Sequence, residues 1–356
     1  MNTIDIVPLH IPEKIDDADA TDFLIMIDVR NRIYREINGN DDEEVSPEAA
    51  LPHYQPNPDE TRLSWIVREG GRVVGRVGLD LPHEAGSVSA YGSIELLREA
   101  QGRGIGTRAH ALIEQAAREA GRTVLQSFAQ HNAEPGEHLP SPTGYGSIPK
   151  NHEARFFLRH GYTLGQVERR SELDPVAAAD TVDRLLADAR EAASGYRVVQ
   201  WMLPTPPERV EAYAWMKSRM STDVPAGEMD VDEETWDAAR VARHDSRYLD
   251  GGQTVQVTAA QHVATGELVA YNELSVAADR TRPTEQYDTL VLREHRGHRL
   301  GQLVKCAGLV SWREVAPDSP KVTTYNAEEN RPMLDINERI GFVPSAYIGA
   351  WKKVLD

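Results

Sequence analysis

The chain has 356 residues, 40 % of them hydrophobic and 27 % charged; this is twice an ordinary domain and too apolar for a disordered chain, so two cores are expected. Its formal charge of −17, from 39 Lys and Arg against 56 Asp and Glu, repels phosphate backbones, which excludes nucleic acid and favours a cationic small molecule. A single cysteine, Cys306, leaves no intrachain disulfide and no thiolate metal cage, and no apolar run nears the roughly 20 residues that cross a bilayer, so a cytoplasmic protein without membrane contact is expected.

The first fifty residues carry 13 acids and 4 bases, among them Asp41, Asp42, Glu43 and Glu44. Such a run reads first as a solvated face and more weakly as a device that steers an amine. Residues 63–67 alternate into Glu69-Gly70-Gly71 and 72–79 return, as in a hairpin. A strand over 88–97 leads to Gln101-Gly102-Arg103-Gly104-Ile105-Gly106, then to a helix over 107–120 with Ile105, Ala109, Leu112, Ile113, Ala116 and Ala117 on one face. Glycines in this turn let backbone approach a ligand, and the free N–H groups of a helix start suit a diphosphate. Residues 131–150, rich in Gly and Pro, form an insertion that is either a functional loop or locally disordered.

Asp174-Pro175 ends a strand, 176–193 reads as an Ala-rich helix, and Ser194-Gly195 closes it before a strand over 196–202. The order of elements then recurs. Segments 253–258 and 268–274 flank Ala264-Thr265-Gly266-Glu267, and a strand over 285–292 leads to Arg296-Gly297-His298-Arg299-Leu300-Gly301 and a helix striped by Leu300, Leu303, Val304 and Ala307. Two domains, 1–175 and 196–356, joined by a linker helix over 176–195, are expected. Neither turn carries the Gly-Lys-Ser/Thr of a nucleotide triphosphatase loop, and neither opens the first βα unit as a dinucleotide turn does.

The pattern Gln/Arg-x-x-Gly-x-Gly/Ala, after a mid-domain strand and opening a long helix, resembles the signature of the GNAT N-acetyltransferases. Gln101 to Gly106 match it fully; in the second half Arg296 and Gly301 match, with Arg299 in place of the middle glycine. The layout is similar to that of two-domain actinobacterial members such as mycothiol synthase. The resemblance implies an α/β (α+β) fold of two tandem domains, each a mixed, mostly antiparallel sheet flanked by helices. It implies acetyl-CoA as the coenzyme, held at both turns by Gln101, Gly102, Arg103, Gly104, Ile105 and Gly106, and by Arg296, Gly297, His298, Arg299, Leu300 and Gly301. It also implies strand amides of Ile94, Glu95 and Leu96, and of Thr289, Leu290 and Val291, near the thioester.

A later family motif, Asn-x-x-Ala-x-x-x-Tyr-x-x-x-Gly-Phe, places an asparagine near the pantetheine and a tyrosine that protonates the leaving thiolate. The second half has Asn330 and Gly341-Phe342, with Asn337 at the tyrosine position; counting back from Gly161-Tyr162 in the first half gives Phe157 and Lys150. An amide is no general acid near neutral pH. The first half thus has the better phosphate turn and the second the better reaction end, so chemistry is expected in the second. Glu285 and Asp288, with Glu95 in the first half, are the candidate bases, and Tyr325 the candidate acid. His295 and His298 read as phosphate or solvent contacts, not metal ligands. Trp215, Met216 and Met220 fit core better than a substrate cleft, and the acidic stretch 228–234 before Trp236 could receive a cationic amine.

The reading that follows is N-acetylation of a small-molecule amine by a monomer or homodimer. Its alternatives are a degenerate acyl-CoA-binding protein and a mycothiol-synthase-like acetyltransferase of a thiol cofactor.

Overall fold

A computed structural model describes residues 3–132 and 134–355. The first half runs β1 (Ile4–Pro8), α1 (Thr21–Asn38), α2 (Pro47–Tyr54), β2 (Glu60–Glu69), β3 (Arg72–Pro82), β4 (Ser89–Leu96), α3 (Ile105–Glu119) and β5 (Val124–His131). A short hairpin, β6 (His138–Pro140) with β7 (Ser147–Pro149), leads to α4 (His152–Arg159), β8 (Thr163–Leu173) and the linker helix α5 (Ala179–Ala192). The second half repeats the order as β9 (Tyr196–Met202), α6 (Val210–Asp223), α7 (Ala238–Asp250), β10 (Thr254–His262), β11 (Leu268–Val276), β12 (Thr284–Val291), α8 (Leu300–Val315), β13 (Val322–Ala327), α9 (Arg331–Ile340) and β14 (Val343–Val354).

Local chemistry sets the element ends. Ser46 accepts from Ala49 N–H and Pro47 opens α2, while Asp237 accepts from Arg240 N–H at the start of α7. Gly70 and Gly71, with φ of 56° and 86°, supply the paired left-handed residues that a two-residue hairpin needs between β2 and β3. The 131–150 insertion is ordered around the β6–β7 hairpin, with Ile148 fully buried; Ala133 within it lies outside the described residues.

One sheet of twelve strands runs through both halves, in the order β1-β2-β3-β4-β5-β14-β8-β13-β12-β11-β10-β9. The halves exchange their last strands. β14 pairs antiparallel with β5, Val354 opposite Val124 and Trp351 opposite Ser127, and β8 pairs with β13, Leu173 opposite Val322. β8 and β14 pair with each other at the centre. Trp351 and Leu355 therefore belong to the first core and Leu173 to the second. A cut between 175 and 196 would therefore part the first core from β14 and the second from β8.

Ion pairs reinforce this junction. Asp41 meets Arg282, Asp42 meets Lys321, and Glu43 meets Arg170 and accepts from Tyr325 Oη at 3.1 Å. The acidic run expected to be a solvated face instead reaches the second half through Asp41, Asp42 and Glu43, while Glu44 pairs with Arg35. The stretch 228–234 likewise docks on the first half, through Gln126 Nε2 to the Asp230 carbonyl (2.8 Å) and Ser87 Oγ to Asp232 (2.5 Å).

Candidate active site

β4 and β5 are a parallel pair over only three residues, Ser89–Val124 to Tyr91–Gln126, and then part. Ser127 Oγ donates to the Gly92 carbonyl (2.7 Å) at the fork. Ile94, Glu95 and Leu96 run along the gap, and the β4 N–H groups facing it have no strand partner. β12 and β13 fork in the same way after Gln286 and Thr324.

Each fork is followed by a single 3₁₀ turn, Arg98–Ala100 or Arg293–His295, and then the glycine turn. Gly102 and Gly104 have φ of 71° and 79°, and a Cβ on either would meet open space. Gln101 Nε2 is folded back on the Leu96 carbonyl (3.1 Å) and Arg103 is turned away to Glu69, so backbone lines this mouth. Ile105 is buried at the start of α3, whose first N–H groups lack helical acceptors. The second turn has the same backbone: Gly297 has φ 90° and Arg299, at φ 54°, is the one non-glycine residue with positive φ among the described residues. That conformation costs a non-glycine residue roughly 1–2 kcal/mol. Gly106 and Gly301 are closely packed: a Cβ would stand 3.1 Å from the Phe156 ring and 3.0 Å from Ile336 Cδ1.

The two clefts differ at their centres. In the first half a cavity of about 240 Å³ runs from the turn to the fork, and His110, Phe128 and Phe157 line it. Aligning Gly106 with Gly301, Gly161 with Gly341 and Val124 with Val322 puts Lys305, Asn326 and Asn337 at the corresponding places of the second half. There Lys305 Nζ, 0 % exposed, donates to Asn337 Oδ1 (2.9 Å), and Asn337 Nδ2 donates to Asn326 Oδ1 (2.7 Å). This chain ties α8, α9 and the splayed end of β13 together across the cleft. Burial pushes the Lys305 ammonium down to about 7.

The expected catalytic groups of the second half are also committed elsewhere. Asp288 accepts from Lys217 Nζ (2.6 Å) and Tyr271 Oη (3.0 Å), and Lys217, whose ammonium lies 5.0 Å from the Trp236 ring, holds its carboxyl below the usual range. Asp288 is thus half of an ion pair, not a base. Glu285, open to water but flanked by protein, accepts from Tyr287 Oη; desolvation raises its carboxyl. Tyr325 Oη donates to Glu43 in the inter-half clamp, on the face opposite Asn326 and so away from the cleft, and desolvation beside Glu43 raises its phenol. Thr289 Oγ1 accepts from Asn272 (2.9 Å), with Leu290 buried and Val291 packed on the second core. Arg296 donates to the Val291 and Asp223 carbonyls; His295 Nδ1 lies 2.9 Å from Tyr196 Oη, and the His298 ring 5.4 Å from that of Tyr196. Leu300 is buried against α5, where Gln302 Nε2 donates to the Leu185 carbonyl. Met216 and Met220 join the core and Trp215 is exposed. No cluster of metal-binding side chains occurs among the described residues.

One residue escaped the motif count. The N-cap of α4 stands one residue closer to Gly161 than that of α9 does to Gly341, so it is Asn151, not Lys150; its Oδ1 accepts from Ala154 N–H (3.2 Å) and lies 3.1 Å from His131 Nδ1. Asn330 caps α9 without a side-chain bond to it. Both helices therefore start at an asparagine. Phe157, at the tyrosine position, stacks on Trp351 of β14, with ring centroids 4.9 Å apart.

Residues 28–136 match the model of the acetyltransferase (GNAT) family. No curated protein matches the sequence. Among solved structures the chain is similar to a tandem GNAT protein from the clavulanic acid biosynthesis pathway, at 25 % identity and TM-score 0.74 over 99 % of this chain and 98 % of that one. It shares the fold of a GCN5-related N-acetyltransferase from Sphaerobacter thermophilus, at 13 % identity and TM-score 0.62 over 99 % and 95 %. No helix among the described residues is long and apolar enough to cross a membrane. With its glycine turns and two forked strand pairs, the chain matches the GNAT acetyltransferase family in its first half and shares the fold of a tandem GNAT protein over its whole length.

Proposed function

We propose that the protein is an acetyl-CoA-dependent N-acetyltransferase acting on a small-molecule amine by direct transfer, with coenzyme and chemistry in the first half. The observation that carries this is the open cleft from the Gly102–Gly104 mouth to the β4–β5 fork, set against the Lys305–Asn337–Asn326 chain in its counterpart. Asn330 alone supports chemistry in the second half; the Lys305–Asn337 bond across that cleft favours the first.

The first cleft fits the coenzyme on two counts. Gly102 and Gly104 leave open space at the mouth, beside the first amides of α3, and His110, which lines the cavity, has a buried Nε2 with no protein partner. Acetyl-CoA would supply an activated acyl thioester. The α3 amides would hold its diphosphate, and the amides of β4 at 94–96 would donate to the carbonyl oxygen as charge develops there. Glu95 is held ionised by Arg76, so it attracts an ammonium and is a poor base; water takes the proton. Phe157 keeps that region dry but offers no proton. Burial pushes the His110 imidazole down to about 4, so it is neutral at physiological pH.

Incubation with acetyl-CoA and a panel of amines tests this; amine-dependent CoA release is expected. Phe157 at the tyrosine position favours a second reading, a non-catalytic acyl-CoA-binding protein. Tight acetyl-CoA binding with no turnover on any amine would select it.

A further inference from the structure

A second cavity, about 190 Å³, lies on the α1–α2 face of the first half and meets the coenzyme cleft at Ser93 and Glu95, which line both. Two ion pairs form its walls. Arg62 Nε and Nη2 donate to Asp80 at 2.6 and 3.0 Å, and Arg76 Nε and Nη2 donate to Glu95 at 2.5 and 2.7 Å. Tyr54 stands between them, accepting from Arg76 Nη1 with its ring 5.4 Å from the Arg62 guanidinium.

Two bidentate pairs around one small cavity cost desolvation that an apolar lining would not. They also make it neutral overall while presenting both signs. A plain cation gains at Glu95 but leaves the arginines facing it, and a plain anion has the converse problem. A molecule with one charge of each sign gains at both ends. Each guanidinium has five N–H groups and spends three on the bonds described, counting Arg62 Nη1 to the His53 carbonyl; two remain for a carboxylate.

We propose that the acceptor is a zwitterion of amino-acid size. Its ammonium sits at Glu95 beside the amides of 94–96, and its carboxylate on Arg62 and Arg76. This rests on the first-half assignment above. The acceptor nitrogen forms the new C–N bond as the thioester C–S bond breaks; of the two protons the ammonium gives up, one goes to the leaving sulfur and one to water.

The test begins with calorimetry of acetyl-CoA on the full chain, then measures CoA release with the standard amino acids, ornithine and their decarboxylated partners, such as lysine with cadaverine or ornithine with putrescine. At least one zwitterion is expected to be acetylated with kcat/KM ten-fold or more above its decarboxylated partner. Arg62→Gln is expected to shrink that ratio about ten-fold, the loss of a charge-assisted hydrogen bond, and Arg62→Lys to shrink it less. Should Arg62→Gln not fold, as judged by its acetyl-CoA binding, Arg62→Lys reads the same ratio. Decarboxylated amines turned over as well as their partners, or no zwitterion turned over by coenzyme-loaded protein, would overturn the inference. Absence of acetyl-CoA binding would instead remove the reading beneath it.

Discussion

Lys305 Nζ donates to Asn337 Oδ1 at 2.9 Å across the cleft of the second half, while their counterparts His110 and Phe157 line an open cavity in the first. The repeat has kept one backbone and given its two centres opposite contents. An ammonium buried with one amide acceptor is costly to place, so the plug has consequences for stability as well as for binding.

Lys305→Met tests the stability consequence. With the folded pKa near 7 and the unfolded near 10.4, the unfolded chain holds the extra proton between those values, so the lysine's contribution improves as pH rises through that window. The variant has no such proton. Urea denaturation at pH 6 and pH 9 should show Lys305→Met gaining about 1–3 kcal/mol over the parent at pH 6 and less at pH 9.

Glu168 gives the opposite slope. Burial, aided by Glu329, raises its carboxyl to about 7. Between roughly pH 4.3 and 7 the folded chain holds a proton the unfolded one has lost, so stability falls as pH rises through this window. Glu168→Gln should gain about 3–4 kcal/mol over the parent at pH 8 and little at pH 4.

Trp351 tests the strand exchange. It is fully buried in the first core, stacked on Phe157, yet comes from the last strand of the chain. Trp351→Ala should cost about 3–5 kcal/mol. Scanning calorimetry should show both halves melting in one transition that shifts as a unit; independent loss of the first half would contradict the shared sheet.

Gly104 tests the turn. Valine there must adopt φ 79° with a branched Cβ and fill the mouth of the cleft. Gly104→Val should weaken acetyl-CoA binding ten-fold or more by calorimetry, and Gly297→Val should weaken it far less.

Much of this was legible from residue patterns alone. Glycine spacing and the apolar stripes of α3 and α8 located both turns, and Ser194-Gly195 marked the re-entry of the second half. Arg299 could be read as a departure, and it indeed takes the left-handed conformation of the glycine it replaces. The strand exchange was not legible, because pairing between β5 and β14 joins residues more than two hundred apart and leaves no local period. Asn151 is not legible from the motif spacing, because the stretch from N-cap to glycine is one residue shorter in the first half than in the second. Lys305 occupies an inward position of α8 that a stripe of apolar neighbours does not announce. The acidic run Asp41 to Glu44 looked like any solvated face, since its partners Arg282, Lys321 and Arg170 lie in other elements.

The most direct test of the central claim is a crystal structure of the full chain grown with acetyl-CoA. Density for the diphosphate against the amides of residues 102–107, with the thioester at the β4–β5 fork and Lys305 still bonded to Asn337, is the predicted result. Coenzyme held at residues 297–302 with Lys305 displaced, and the first cleft empty, would contradict it.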